Sequence, residues 1–313
     1  MTLDLMAELS KQGFQGRMIA VDRLEDARKE IEDKHARGDL NEDFFREELG
    51  PFRFKPPASL RKAGTIILAA YPQPQVRLTF RWRGRPRPVF IPPTYSHDSD
   101  QALQDLLGRL LKPLGYRVAG ATVPLKWLAA RSGLAAYGRN NICYVGGSGS
   151  FFRLAAFFTD YPAKGNQPWG KPKMMEACRR CTACLRGCPT GAISPDRFMV
   201  RAERCLTFLN EHPGEFPPWI DPSWHHRLFG CMRCQSVCPQ NRGGLSWTEE
   251  GDHFSEEETK LLLEGVPFSR IPGSMKRKLE RFKLTARDYG LLPRNIKAVL
   301  RNAGGETALG GKP

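Results

Sequence analysis

"CRRCTACLRGCPTGAI" occupies residues 178–193 and crowds four cysteines into eleven residues, the last followed at once by proline. A shorter echo, "CMRCQSVCP", occupies residues 231–239. Eight of the nine cysteines in the chain fall between Cys178 and Cys238. In a reducing compartment, thiols this dense read as metal ligands before disulfides. Zinc sites come as two separated pairs of ligands, not as a tight run closing on Cys-Pro.

The spacing Cys178-x2-Cys181-x2-Cys184-x3-Cys188-Pro189 is the bacterial ferredoxin run. Three thiolates at two-residue gaps wrap three corners of a cubane, and the fourth, past a turn, ligates the other cluster. Proline after it stiffens the exit. The second run, Cys231-x2-Cys234-x3-Cys238-Pro239, lacks one of its three leading cysteines, and Cys205 in "RAERCLTFLNE" can supply it. The expected sets are Cys178, Cys181, Cys184 and Cys238 for one 4Fe–4S cluster, and Cys188, Cys205, Cys231 and Cys234 for the other. Cys143 is left over and reads as a small buried apolar residue. With the thiolate count complete, His225 and His226 read as polar loop residues.

The remaining chain bounds the setting. Its 313 residues are 41% hydrophobic, enough for a sizeable core. No apolar run approaches the ~20 residues of a membrane helix. The opening "MTLDLMAELSKQGF" reads as a first helix without the apolar stretch of a signal peptide, so a cytoplasmic protein with no membrane contact is expected. A formal charge of +15 makes a polyanionic partner such as nucleic acid plausible and says nothing about fold.

Helical spacing marks residues 1–14 and 22–37, the latter with Asp22 and Glu25 as an expected capping pair. "TIILAAY" (65–71) reads as a buried strand, "QVRLTFRWRG" with "RPRPVFI" as a hairpin, and 99–115 as an amphipathic helix. Strands are also expected in 17–21, 116–122, "NICYV" and "FFRLAAFF", with a short helix at 124–133. The Pro/Gly/Lys-rich stretch 161–173 reads as a linker or wrapping loop, and helical patterns return at 255–265, 273–282 and 293–303. The fold class is α+β: an α/β domain over 1–165, a ferredoxin-like domain over 166–245, and a short helical extension over 246–313. Within the hairpin, Arg81, Arg83, Arg85 and Arg87 are expected on one exposed face, where with Phe80 and Trp82 they would grip an RNA loop or simply protect an edge strand.

Paired clusters relay single electrons but name no substrate, and some 80 residues would suffice for a carrier. The first 160 residues therefore call for a cofactor that receives the electrons. "CRRCTACLRGCPTGAI", "RCLTFLNE" and "GCMRCQSVCPQNR", together with "AARSGLAAYGRNN" and "GSFFRLAAFFTD" upstream, resemble the cobalamin-dependent epoxyqueuosine reductases and, more distantly, the reductive dehalogenases. That resemblance covers residues 115–245 well and the first 115 loosely. It implies an N-terminal domain holding base-off cobalamin, two clusters feeding it, a ferredoxin- or flavodoxin-type donor, and tRNA-borne epoxyqueuosine as substrate. Arg139, Asn140, Asn141, Gly149 and Ser150 become candidates for the corrinoid pocket. The chain departs from the family at one place: anchored on Pro124, the family's acidic residue falls on Ala121. Lys126 and Tyr137, and beyond them Tyr144, are the substitute proton donors to consider. The family's C-terminal helical repeats are also cut down, "LLPRNIKAVLRNAGG" (291–305) resembling one unit. Two alternatives stand beside this reading: the same cofactors acting on a small molecule such as an organohalide or a corrinoid, or a non-catalytic double-cluster electron-transfer protein.

Overall fold

The computed structural model describes residues 3–163, 167–280 and 282–302. Strands β1 (Gln15–Ala20) and β2 (Thr65–Pro72) lead into a hairpin, β3 (Gln75–Trp82) and β4 (Arg85–Ile91). The short β5 (Val118–Gly120), β6 (Ala136–Tyr137) and β7 (Cys143–Tyr144) precede β8 (Phe152–Thr159), and β9 (Thr248–Phe254) follows the cysteine region.

Residues Thr65 to Ala70 are all buried because β2 lies inside a sheet covered on both faces. The order is β1-β2-β8-β5, and every pairing is antiparallel, so the class is α+β and not a parallel α/β sheet. Period-two geometry divides the apolar side chains. Ile66, Leu68 and Ala70 join Leu154, Ala156 and Phe158 beneath Leu24 and Leu128 of the helices Arg23–Ala36 and Leu125–Arg131. Ile67, Ala69 and Phe157 face the other way, onto Leu9, Leu103 and Leu107 of the helices Leu5–Lys11 and Asp98–Leu111. Each such leucine stabilises the layer by roughly 1.5–3 kcal/mol when fully buried. Asp4 caps the first helix by accepting from the Ala7 N–H at 3.1 Å. The expected capping pair at Asp22 does not form: Asp22 is already helical in backbone, and Glu25 instead meets Arg28.

A second sheet, ordered β4-β3-β9, holds the hairpin. β9 runs parallel to β3 from some 170 residues further along the chain. Val76, Leu78 and Phe80 pack against Leu262, Met275, Leu279, Leu292 and Ile296, so the helices Glu256–Leu263, Gly273–Glu280 and Ala286–Asn302 close over the hairpin. The last part of the repeat-like stretch 291–305 lies outside the described residues. In the 161–173 stretch, Trp169 packs on Trp127 and the Gly170 N–H donates to the Arg131 carbonyl at 3.0 Å, wrapping the helix Leu125–Arg131. No helix among the described residues is long and apolar enough to cross a membrane.

The single arginine face expected on the hairpin is a misreading. Arg83 and Gly84 both have positive φ, +53° and +71°, as a tight two-residue hairpin turn requires. That turn pairs Trp82 with Arg85, Phe80 with Arg87 and Arg81 with Pro86. Paired residues share a face. Arg85 and Arg87 therefore stand on the face of Phe80 and Trp82, while Arg81 stands on the opposite one. The turn itself rests on the last helices' acidic start: the N–H groups of Arg83 and Gly84 donate to Glu256 at 2.7 and 3.0 Å.

Candidate metal and cofactor site

Two short helices, Ala183–Arg186 and Arg233–Ser236, carry the cysteine runs and pack against each other. They meet closely where Gly187 touches Val237; a Cβ on Gly187 would lie 2.7 Å from the valine side chain. Cys205 sits just ahead of the helix Leu206–Glu211, and the N–H groups of Thr207 and Phe208 donate to its sulfur.

The thiols fall into two groups. The electrostatic neighbours of Cys184 are Cys178, Cys181 and Cys238. Those of Cys234 are Cys231, Cys205 and Cys188. Among the described residues no three ligand-type side chains are close enough to share a single metal ion. Four thiols in each group match the ligand count of a cubane with one iron per corner. By solvent exposure Cys178 and Cys184 of the first group are buried, and the four thiols of the second are partly exposed. Burial pushes the Cys231 thiol up to about 12 and Cys234 well above the usual thiol range. Metal binding must displace those protons, so assembly couples to pH.

A cavity of about 400 Å³ opens beside the second group, and all four of its thiols line the wall with Lys126, Asn140 and Asn141. None of the first group's thiols does. A second cavity of about 300 Å³ is lined by Tyr95, Ser150, Arg153 and Gln235. Lys126, Ile142, Thr207 and Cys231 border both, so the two adjoin.

Other expected residues have different tasks. The Arg139 guanidinium is committed to the first cysteine loop, donating to the carbonyls of Cys178 and Cys181 at 2.8 and 3.1 Å. Gly149, at φ +57°, sits where a Cβ would lie 2.4 Å from the Asn241 side-chain oxygen. The Ser150 N–H donates to that same oxygen at 2.9 Å, and its hydroxyl donates to Gln235 at 2.7 Å. The Gly-Ser turn thus clamps the cysteine region onto the main sheet, although Ser150 also borders the smaller cavity. Tyr137 is buried in the core beside Cys143 and lines neither cavity. Asn140 donates to the Tyr144 hydroxyl at 3.0 Å; Asn140 also bonds Cys234, and Tyr144 bonds Cys238, so this pair touches both thiol groups. Arg81, Arg83 and Arg85 line neither cavity. His225 and His226 are buried at 4% and 7% exposure and not solvated loop residues, and burial pulls them down to about 4 and about 3. Cys143 is buried in the core, as expected.

Sequence reasoning passed over Glu211. It ends the helix Leu206–Glu211, borders the larger cavity, and accepts from the Tyr95 hydroxyl and from the Gly230 N–H at 3.1 Å. Burial, aided by Glu48 and Asp288, raises it to about 7. Its only sequence signal was an acid at the end of an apolar helix.

Residues 177–241 match a family profile described as a 4Fe-4S double cluster binding domain. Over 191 residues the chain is 38% identical to the epoxyqueuosine reductase of Pseudomonas aeruginosa, covering 54% of this chain and 51% of that one. Against the Staphylococcus aureus epoxyqueuosine reductase it is 27% identical over 296 residues, covering 90% of this chain and 73% of the relative. The chain is thus similar to epoxyqueuosine reductases along most of its length. It spans about half the length of several curated epoxyqueuosine reductases that it matches, including that of P. aeruginosa, and 40% of that of Escherichia coli. Solved epoxyqueuosine reductases share the fold: the Streptococcus thermophilus structure aligns with TM-score 0.64 at 22% identity over 96% of this chain and 82% of that one. A structure of an epoxyqueuosine reductase with an epoxyqueuosine-modified tRNA-Tyr stem loop aligns with TM-score 0.66 at 24% identity over 95% and 80%.

Proposed function

We propose that this chain is a reductase of the epoxyqueuosine reductase type, with two 4Fe–4S clusters held by the two thiol groups, a corrinoid beside the second, and a tRNA-borne substrate. The observation that carries the reading is the cavity wall: four thiols of one group face a ligand-sized space and the other four do not. Cys178, Cys181, Cys184 and Cys238 would hold one cluster, and Cys188, Cys205, Cys231 and Cys234 the other. The polar borders of the adjoining cavities, Asn140, Asn141, Lys126 and Ser150, are the groups that would face a corrinoid. When bound, these groups supply stored single electrons and a low-valent cobalt nucleophile.

The chain's own residues do the rest. Asn140 and Asn141 present amides to the larger cavity, and the positive φ of Asn141, +59°, turns the backbone there. Lys126 reaches both cavities and is the proton donor best placed for a departing oxygen. Ala121 offers none: its side chain packs against the core and its N–H donates to the Ala156 carbonyl at 3.0 Å. That departure favours, as second reading, a small-molecule substrate reached by the same cofactors.

Anaerobic reconstitution with cobalamin, then assay on epoxyqueuosine-containing tRNA, separates the two. Turnover to queuosine supports the tRNA reading; cobalamin binding without turnover on that tRNA supports the second. Ala121→Asp should raise the rate on that tRNA by at least about tenfold, within the range of one positioned acid. A drop on Ala121→Asp, with folding intact, would remove Ala121 from the proton argument.

A further inference from the structure

The thiol groups differ in what can reach them. The second lines the larger cavity; the first lines neither of the two cavities. A protein that delivers electrons is too large for either cavity, and electron transfer weakens steeply with distance. The first group is therefore where such a partner must approach.

The surface there is strongly basic. Arg179 and Arg180 stand exposed between Cys178 and Cys181, and Arg186 stands exposed between Cys184 and Cys188. Lys171 and Lys173 are exposed on the strand-like lead-in, and Arg242 beyond Cys238. From residue 161 to 195 the sequence has one acid, Glu176, and it is paired with Arg179 at 2.9 Å. The lead-in and the loop share a support: Tyr137 bonds the backbone of Lys173 and Met175, and Arg139 holds the carbonyls of Cys178 and Cys181. Among these charges lie two exposed apolar side chains, Met174 at 41% and Val237 at 45%, the latter against Gly187. Apolar contacts ringed by one sign of charge are the build of a transient docking patch.

We infer that this face is the docking surface for an acidic one-electron carrier protein of the flavodoxin kind, seated over the first thiol group. The inference rests on the proposed two-cluster reading. In each encounter one electron leaves the reduced carrier and one is taken up by the chain; no bond forms or breaks. Complementary charge favours the encounter, and a small interface lets the oxidised carrier leave.

The test uses the full chain, loaded anaerobically, with a reduced acidic flavodoxin as probe. Binding affinity and reduction rate are measured from low to high salt for the wild type, for the pair Arg180→Glu with Arg186→Glu, and for the milder pair Arg180→Gln with Arg186→Gln. Both quantities should fall with salt in the wild type, and drop about tenfold or more in the glutamate pair and less in the glutamine pair. Reduction by an uncharged photoreduced deazaflavin should be unchanged throughout. Flavodoxin binding that ignores both salt and substitution would overturn the inference. So would loss of binding to a tRNA anticodon stem loop with flavodoxin unaffected, which would make the patch an RNA grip. Wild-type protein without eight irons or so would sink the two-cluster reading itself, a failure seen in the metal count and not in the salt series.

Discussion

At the scale of single residues, the cysteines were legible because their spacing is the information: a wrap around a cubane is a local event. Arg139 and Ser150 were not, since what they bind lies 42 and 91 residues away. Glu211 is similar; its partner Tyr95 is 116 residues distant. It makes a prediction. Its carboxyl, at about 7 in the fold, would return to the ordinary range near 4.5 on unfolding. A group that holds its proton more tightly when folded stabilises the fold fully below about pH 4.5, and loses that contribution as pH rises through about 7. Between pH 5 and pH 8 the wild type should lose on the order of 2 kcal/mol, read by thermal or denaturant unfolding. Glu211→Gln keeps an acceptor for Tyr95 and Gly230 and should flatten that slope. A parallel slope in the variant would show that Glu211 is ionised in the fold.

Elements repeat the lesson at longer range. "TIILAAY" reads as a buried strand, and Thr65 to Ala70 are buried while Tyr71 at its end is exposed. "TEEGDHF" carries three acids and a glycine and gives no strand signal of its own; β9 exists because β3 offers it an edge. The arginine face failed because alternation was carried across a turn that resets it. The turn at Gly149 shows how a local conformation serves a distant contact. Gly149→Ala adds a Cβ at φ +57° against Asn241 and Gln240. It should destabilise by about 2 kcal/mol or more and weaken iron retention by loosening the clamp at Ser150. Gly146→Ala, with nothing within 4 Å, should melt like wild type. Equal melting of the two variants would mean the clamp carries no energy.

For the whole molecule, the architecture places its parts in sequence: a basic face, a first thiol group, a second that lines the larger cavity, then the cavities between the main sheet and the cysteine region. The composition gave the charge but not its location, because net charge has no address. The helices Glu256–Leu263, Gly273–Glu280 and Ala286–Asn302 cap the hairpin sheet and so tie residues 256–302 to the chain's first third. Everything functional depends on the two thiol groups each holding a cubane. Iron, acid-labile sulfide and zinc counted in anaerobically purified protein, wild type beside Cys234→Ser, test this most directly. The account predicts about eight irons and eight sulfides in the wild type, about half in the variant, and no stoichiometric zinc. Zinc in place of iron, or about four irons in the wild type with no further loss in Cys234→Ser, would contradict it.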